Sequence, residues 1–503
     1  MAPTINPDEP AEAWKVLPNN THRNWIRDRG LRRLNLGIAF MFSSSAGTGY
    51  SASLMNGLLV LPQFRVIIGD LTPNIVGLLI AATSLGAFIS FVPASYMADI
   101  LGRKRCVAVG CFLLIIAAVI QIASTNHWVF FVSRVLAGAG FGTAQTAAPL
   151  LTTEIAHPRQ RQTATALYSG AWCAGSISSA SLTAATLSMA SNWAWRIPCL
   201  LQVTYPLSQL GGLLLVPESP RWLVSKNRKD EALAILARYH ANGNANDELV
   251  QHEFHQICRT ISAEDQERTP WSAFLSSKGD MHRLAICIIV GFMQEWAGNG
   301  IISYYLAPIL SSVGITRSSA QAAINASLQI WNLLLSAVGA IASERYGRRI
   351  LWLLSSASML LLLSITTVVA GLFAEKHLAA AGLAVVPMLF LFFGAFDLAY
   401  APLFIAYPAE ILPFPLRAKG MAITLSADAA ASFFNQYANP VAFAVMAWKY
   451  YCVYLGCLVI FLGLVYFLFP ETKGRSLEEM SRIFDGEEPR INIVDTKTDG
   501  TKQ

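Results

Sequence analysis

The sequence is poor in charge. Only 14% of its 503 residues are Asp, Glu, Lys or Arg, against about a quarter in an ordinary soluble domain. That deficit excludes a simple string of soluble domains. Cysteine and histidine are scarce too, with eight of each. The cysteines sit mostly inside apolar runs without metal-ligand spacing, which predicts free buried thiols and no metal site. The histidines fall in loops or tails, so no imidazole relay crosses an apolar segment. No nucleophile elbow, phosphate loop or dinucleotide glycine pattern stands in a fitting context. An enzyme is therefore not expected, and no cofactor is implied. A cleaved leader is not expected either, because 33 polar, arginine-rich residues precede the first apolar run.

What is present is apolar length. Hydrophobic residues make up 54% of the chain, gathered into runs of about 20, enough to span a bilayer core. Twelve such runs occur, at 34–56, 73–93, 106–123, 128–150, 163–188, 197–216, 284–307, 320–342, 349–372, 380–406, 420–444 and 450–469. They are called spans 1 to 12 below. Each must be helical, because lipid offers the backbone no partner. Basic residues set the orientation. Lys15, Arg23, Arg27, Arg29, Arg32 and Arg33 precede span 1, Arg103 to Arg105 follow span 2, and nine Lys and Arg fall in 217–283. Connections on the other side carry one or none, Arg65 and Arg317 among them. Both termini and the 217–283 segment are thus expected in the cytosol, around a multi-pass protein of the plasma membrane. Anionic headgroups account for the net charge of +6 without nucleic acid. The expected partners are a small solute and membrane lipids, with the chain a monomer.

The chain repeats itself. Asp99–Arg105 (DILGRKR) matches Glu344–Arg349 (ERYGRR), Glu154–Arg161 (EIAHPRQR) matches Glu410–Arg417 (EILPFPLR), and Pro217–Arg221 (PESPR) matches Pro470–Gly474 (PETKG). The offsets are 245, 256 and 253 residues. Three motifs in one order, all at one side, predict two parallel six-helix bundles, 34–216 and 284–470. A tail of 1–33, a linker of 217–283 with short amphipathic helices, and a polar tail of 471–503 complete the plan. The motif charges suit a gate. Asp99, Arg103, Glu154, Arg161, Glu218, Arg221, Glu344, Arg348, Glu410, Arg417 and Glu471 could bridge the bundles when the cytosolic side closes and part when it opens. Asn19 and Asn325 fit glycosylation patterns but carry little weight. Gly47, Gly49, Gly57, Gly138, Gly140 and Gly142 would permit close helix packing.

With SRVLAGAGFG, WRIP, PESPRWL, YPAEILPFPLRAKG and PETKGRSLEEM added, the motif set resembles the sugar porter family of the major facilitator superfamily over about residues 30 to 485. WAGNGIISYYL and FFNQYANPVAFAVMAWKYY resemble its fungal lactose-permease-like branch. The resemblance implies an all-α integral membrane fold of twelve transmembrane helices, alternating access, and a solute site between the bundles.

The pocket departs from the family pattern. The helix 1 aspartate that couples protons falls on Ser51, while its helix 4 arginine remains as Arg134. Serine does not titrate near neutral pH. Family solute contacts fall on Gln294 and Glu295 in span 7, Asn332 in span 8 and Ser169 in span 5. Further contacts fall on Tyr304 in span 7 and on Asp428 in span 11, while Asn435 in span 11 could touch solute or hydrogen-bond across helices. Two tryptophan positions hold Leu403 and Ala429 instead. Glu295, Asp397 and Asp428 are carboxylates added to apolar helices, where a charge costs roughly 2.5–3.5 kcal/mol to insert. They should face a cavity or one another. Three roles stay open for Glu295: solute binding, proton coupling in place of the lost aspartate (with Asp397 and Asp428), or a structural contact. The expected function is transport of a small polar solute, a sugar or sugar-like compound, with facilitated diffusion favoured over proton coupling. Export of a secondary metabolite and non-transporting sugar sensing are the alternatives.

Overall fold

The computed structural model describes residues 17–22, 25–69, 72–266, 270–300, 306, 310–311, 314–376, 379–473, 480 and 483–484. Every regular element among them is helical. The apolar runs become the helices Arg29–Val60, Pro73–Leu101, Arg103–Ala123, His127–Ile155 and Arg161–Thr186, then Trp193–Leu201 with Thr204–Leu213, and Lys278–Trp296. They continue as Ser318–Tyr346, Arg348–Lys376, Ala379–Ile411, Phe414–Met446 and Tyr451–Leu468. Span 6 is thus two helices. Pro206 lacks the N–H that would bond residue 202, and the break falls there. Among the described residues, six helical stretches qualify as membrane-crossing by length and hydropathy alone, one of them joining spans 11 and 12, and the bent pair Arg29–Val60 and Pro62–Ile68 makes a seventh if it counts as one span. Span 5, rich in Ser, Thr and Ala, presents its small residues to neighbouring helices instead.

The packing scheme repeats with the sequence. Span 1 lies on span 5, span 2 on span 4 and span 3 on span 4; likewise 7 lies on 11, 8 on 10 and 9 on 10. The bundles meet through span 2 against span 11 and span 5 against span 8, the same pairing seen from each side. Small residues make these approaches possible. A Cβ on Gly138 of span 4 would stand 2.0 Å from the carbonyl oxygen of Thr83 in span 2. Gly138→Val therefore forces two backbones apart. Overpacking of this kind costs about 1–3 kcal/mol, and the variant should unfold at lower temperature in detergent than the parent.

The motif ends repeat atom for atom. Gly102 (φ +99°) and Gly347 (φ +101°) turn the chain after spans 2 and 8, in the left-handed region that favours glycine. Glu218 accepts from the backbone N of Lys104 at 3.2 Å, and Glu471 from the backbone N of Arg348 and Arg349 at 2.8 and 3.1 Å. Each carboxylate thereby caps the helix after the turn. Arg103 pairs with Glu154 at 3.4 Å and with Asp99 at 3.1 Å; Arg348 pairs with Glu410 at 2.8 Å. Ser219 and Thr472 donate to those same two glutamates. Each of these ion pairs closes within its own bundle. The expected bridge between bundles is therefore absent from these motif pairs in this conformation. Cross-bundle hydrogen bonds are seen instead from Ser84 of span 2 to Gln436 and Ser432 of span 11, at 3.0 and 3.2 Å. Further out, span 11 passes close to Gly77 at Tyr437 and Pro440. These contacts lie away from the motifs, so the seam is held at the opposite end.

The linker helices Pro220–Ser225, Lys229–His240 and Glu248–Gln266 pack on one another and on span 1. A buried charge cluster holds them. Glu253 accepts from Arg161 at 2.9 Å and contacts His240 Nδ1 at 2.8 Å. His240 Nε2 in turn lies 3.1 Å from the carbonyl of Ile155. Arg161, expected at the gate, thus ties span 5 to the linker. Asn19 is used here as well, donating to His240 O and Asp247, which leaves its amide no room for a glycan. Arg221 makes no ion pair among the described residues. The Glu344 side chain lies outside them.

Acid should loosen this hub. Burial, seconded by His240, lowers the His157 pKa from 6.5 to about 3. Burial pushes Glu253 up, but His240 and Arg161 outweigh it and hold the carboxyl below 4.5. Both folded values are depressed. The stability they confer is complete above the unfolded values and is lost as pH falls, from about 6.5 for His157 and from 4.5 for Glu253. Amide hydrogen exchange of the linker should therefore speed up between pH 7 and pH 5. His157→Gln should flatten that change.

Candidate functional site

Span 7 stops short. Its helix ends at Trp296, and Gly298 takes φ +103°, which few side chains tolerate. The break frees carbonyls inside the protein, and they need donors. The Asn435 amide of span 11 supplies one, donating to the Glu295 backbone oxygen. Asn435 is itself held by Asn439 and by Tyr454 of span 12, with Tyr450 reaching Asn439 at 3.0 Å. Of the two readings open for Asn435, solute contact and a bond across helices, the structure shows the second: it ties spans 7, 11 and 12.

Spans 7 and 11 run close below that point. A Cβ on Gly291 would lie 2.7 Å from Ala427 Cβ and 2.8 Å from the Asp428 backbone N. Trp296 Nε1 donates to Ala431 O at 3.0 Å. This proximity sets the Asp428 carboxyl within electrostatic reach of Glu295, and Ser432 beside Glu295. Ser432 accepts from Gln436 at 2.8 Å and meets Ser84 of the other bundle. The Glu295 side chain therefore sits on the seam between bundles.

Glu295 Oε2, Asp428 Oδ1, Gln294 Oε1 and Asn299 Oδ1 are buried and have no hydrogen-bond partner among the described residues. Unsatisfied buried acceptors cost about 1–3 kcal/mol each. Such a concentration marks a place where something else donates. In span 8, Gln329 Oε1 is also buried and unpartnered. One turn on, the Asn332 amide, oriented to satisfy both neighbours, donates to Asp397 Oδ2 at 3.2 Å and to Leu328 O at 3.0 Å. Asp397, 6% exposed, lies within electrostatic reach of Cys173 in span 5, so it too faces the other bundle.

In the first bundle Arg134 is 2% exposed. It donates from Nη1 to Ser51 Oγ at 3.0 Å and approaches Ser51 O at 3.4 Å. It stands near the start of span 4, at the end away from the motifs. A small recess opens at the same end, lined by Asn56, Thr183, Gln321 and Asn325 among others. Asn325 is a helical residue that lines this recess.

Of the sequence candidates, the structure groups Gln294, Glu295 and Asp428 on spans 7 and 11, pairs Asn332 with Asp397, and pairs Ser51 with Arg134. Tyr304 and the Ser169 side chain lie outside the described residues. Sequence reasoning passed over Ser84, Gln329 and Ser432. Gln329 was within reach, because Asn325, Gln329 and Asn332 recur at helical spacing on one face.

The family described as "Sugar (and other) transporter" matches residues 38–484. The "MFS-type transporter oryC" of Aspergillus oryzae is 28% identical over 451 residues, covering 87% of this chain and 82% of that protein. "Hexose transporter 2" of Kluyveromyces lactis is 27% identical, covering 81% of this chain and 74% of its own. Among solved structures, the xylose transporter XylE from E. coli, in a partially occluded inward open conformation, superposes with a TM-score of 0.73 at 18% identity. The superposition covers 89% of this chain and 100% of that one.

Proposed function

Because the chain belongs to the sugar (and other) transporter family, we propose that it moves a small sugar or sugar-like solute by alternating access, as facilitated diffusion. The solute site in this reading is the seam beside Gln294, Glu295, Asn299 and Asp428. The observation that carries it is the set of buried oxygens left without partners where spans 7 and 11 meet the first bundle. The sugars named for the hexose and xylose transporters support the solute class. Facilitation is supported by Ser51, a hydroxyl that meets Arg134 and exchanges no proton at physiological pH.

The motif clusters make each bundle a rigid body in this mechanism. Their arginines and glutamates stitch spans 2, 4 and 6, and spans 8, 10 and 12, so rocking takes place at the seam. Both termini and the linker face the cytosol at the plasma membrane, as the basic residues require.

The test uses purified protein in liposomes with the membrane potential clamped. Labelled hexose should equilibrate and stop there under an imposed pH gradient. Accumulation that follows the gradient would overturn facilitation. Movement of no sugar at all would overturn transport.

A further inference from the structure

One face of span 11 runs along the seam. Asp428, Ser432, Gln436 and Pro440 recur at every fourth residue of one helix, so they share that face. Asp428 comes within electrostatic reach of Glu295 in span 7. Ser432 lies one turn further from the motif end and Gln436 another turn on, and both meet Ser84 of span 2. At Pro440 the bundles still touch. A Cβ on Gly77 of span 2 would stand 2.9 Å from Pro440 Cγ and 2.6 Å from the Tyr437 backbone oxygen. From Ser84 toward the end away from the motifs the seam is thus shut, and Glu295 lies at the inner edge of that contact.

Ser432 has more acceptors than protons. Ser84 donates its only hydroxyl proton to Gln436 Oε1 at 3.0 Å. The Gln436 amide donates to Ser432 Oγ at 2.8 Å. In the 3.2 Å contact between Ser84 and Ser432 the donor is therefore Ser432. Glu295 accepts from the same hydroxyl. A serine has one proton to give, so Ser432 serves Ser84 across the seam or Glu295 in the site, one at a time.

We propose that Ser84, Ser432 and Gln436 form a latch that shuts the outer half of the seam, and that Ser432 couples this latch to the solute site. A solute hydroxyl that donates to Glu295 frees the Ser432 proton for Ser84, so closure of the outer side follows occupancy. Once the solute leaves toward the cytosol, Ser432 turns back to Glu295, the latch slackens and the empty protein reopens outward. The inference rests on the transport reading above and gives that site its gate. Ser432 is a positioning residue, acting on the solute through Glu295.

The experiment uses the full-length protein in liposomes, with labelled hexose as the probe. In the double variant Ser84→Cys with Ser432→Cys, an oxidant should join the two positions and stop counterflow, and dithiothreitol should restore it. Each single cysteine variant under the same oxidant is the control. The second arm reads half-saturation from each side of the membrane. A neutral hydrogen bond corresponds to about two- to tenfold in an equilibrium. Loosening the latch populates the outward-open form, so Ser84→Ala should lower the outer half-saturation concentration by that factor and move the inner one by less than about twofold. A merely structural serine would not act on one side alone. Ser84→Ala and Glu295→Leu should combine non-additively on the outer value, and additively once Ser432 is replaced by alanine. A pair that does not cross-link, a cross-linked protein that still exchanges, or an unchanged outer value for Ser84→Ala would overturn the latch and leave the transport reading standing. Additivity in both backgrounds would overturn the coupling through Ser432. If the parent exchanges no hexose, the transport reading falls and the latch with it.

Discussion

Replacing Glu295 by leucine should make the protein more stable and a worse transporter. The carboxyl sits in an apolar helix where a charged group costs roughly 2.5–3.5 kcal/mol to insert, and one of its oxygens has no partner. Leucine removes that cost and fills similar volume, so the melting temperature in detergent should rise. If the carboxyl receives a hydrogen bond from the solute, its loss removes about 1.5–3 kcal/mol of binding. The half-saturation concentration for exchange should then rise about ten- to hundredfold. Glu295→Gln, which keeps an acceptor but not a charge, should fall between. The opposing shifts in stability and affinity make the test sharp, since a merely structural glutamate would lose both together. A leucine variant that exchanges solute like the parent would place the binding site elsewhere.

Ser51→Asp should make transport slower and pH-sensitive. The parent pairs Arg134 with a hydroxyl 3.0 Å away, a contact with no charge on the acceptor side. Aspartate there would form a charge-assisted pair in a site where Arg134 is 2% exposed, roughly twice as strong as a neutral hydrogen bond. If the cycle opens that contact, about 1.5–3 kcal/mol more must be supplied each time. Exchange at neutral pH should then slow about ten- to hundredfold. Acidification should restore part of it by neutralising the aspartate. The measurement is counterflow rate against pH for parent and variant. Equal rates and equal pH profiles would mean that the Ser51–Arg134 contact stays shut throughout the cycle.

The twelve apolar runs and the three repeated motifs were readable from the chain because each rests on a local rule. Lipid forces helices, and a run of about 20 apolar residues has one use. The paired motifs even anticipated the hydrogen-bond pattern, in which Glu218 and Glu471 cap equivalent helices. Their pairing in this conformation has a physical reason. Opposite charges at one face of a membrane suggest attraction across the seam, but arginine finds the nearest carboxylate first, and Glu154 and Glu410 belong to the same bundles as Arg103 and Arg348. Asn435 and Asn332 show a related limit. An amide reads alike in sequence whether it meets solute, a broken helix end or an aspartate, and the neighbours that decide lie 140 and 65 residues away.

The sequence by itself determined the membrane class, the duplicated plan, the absent helix 1 carboxylate and the presence of acids in spans 7, 10 and 11. Those are properties of composition and spacing, and they survive any arrangement of the helices. Only the tertiary structure decided that Glu295 and Asp428 face each other on the seam, that Gln329 and Asn299 are left without donors, and that the motif charges close inside each bundle. A hydrogen bond is settled within about 3 Å, and only the packing of distant helices brings those atoms within that distance.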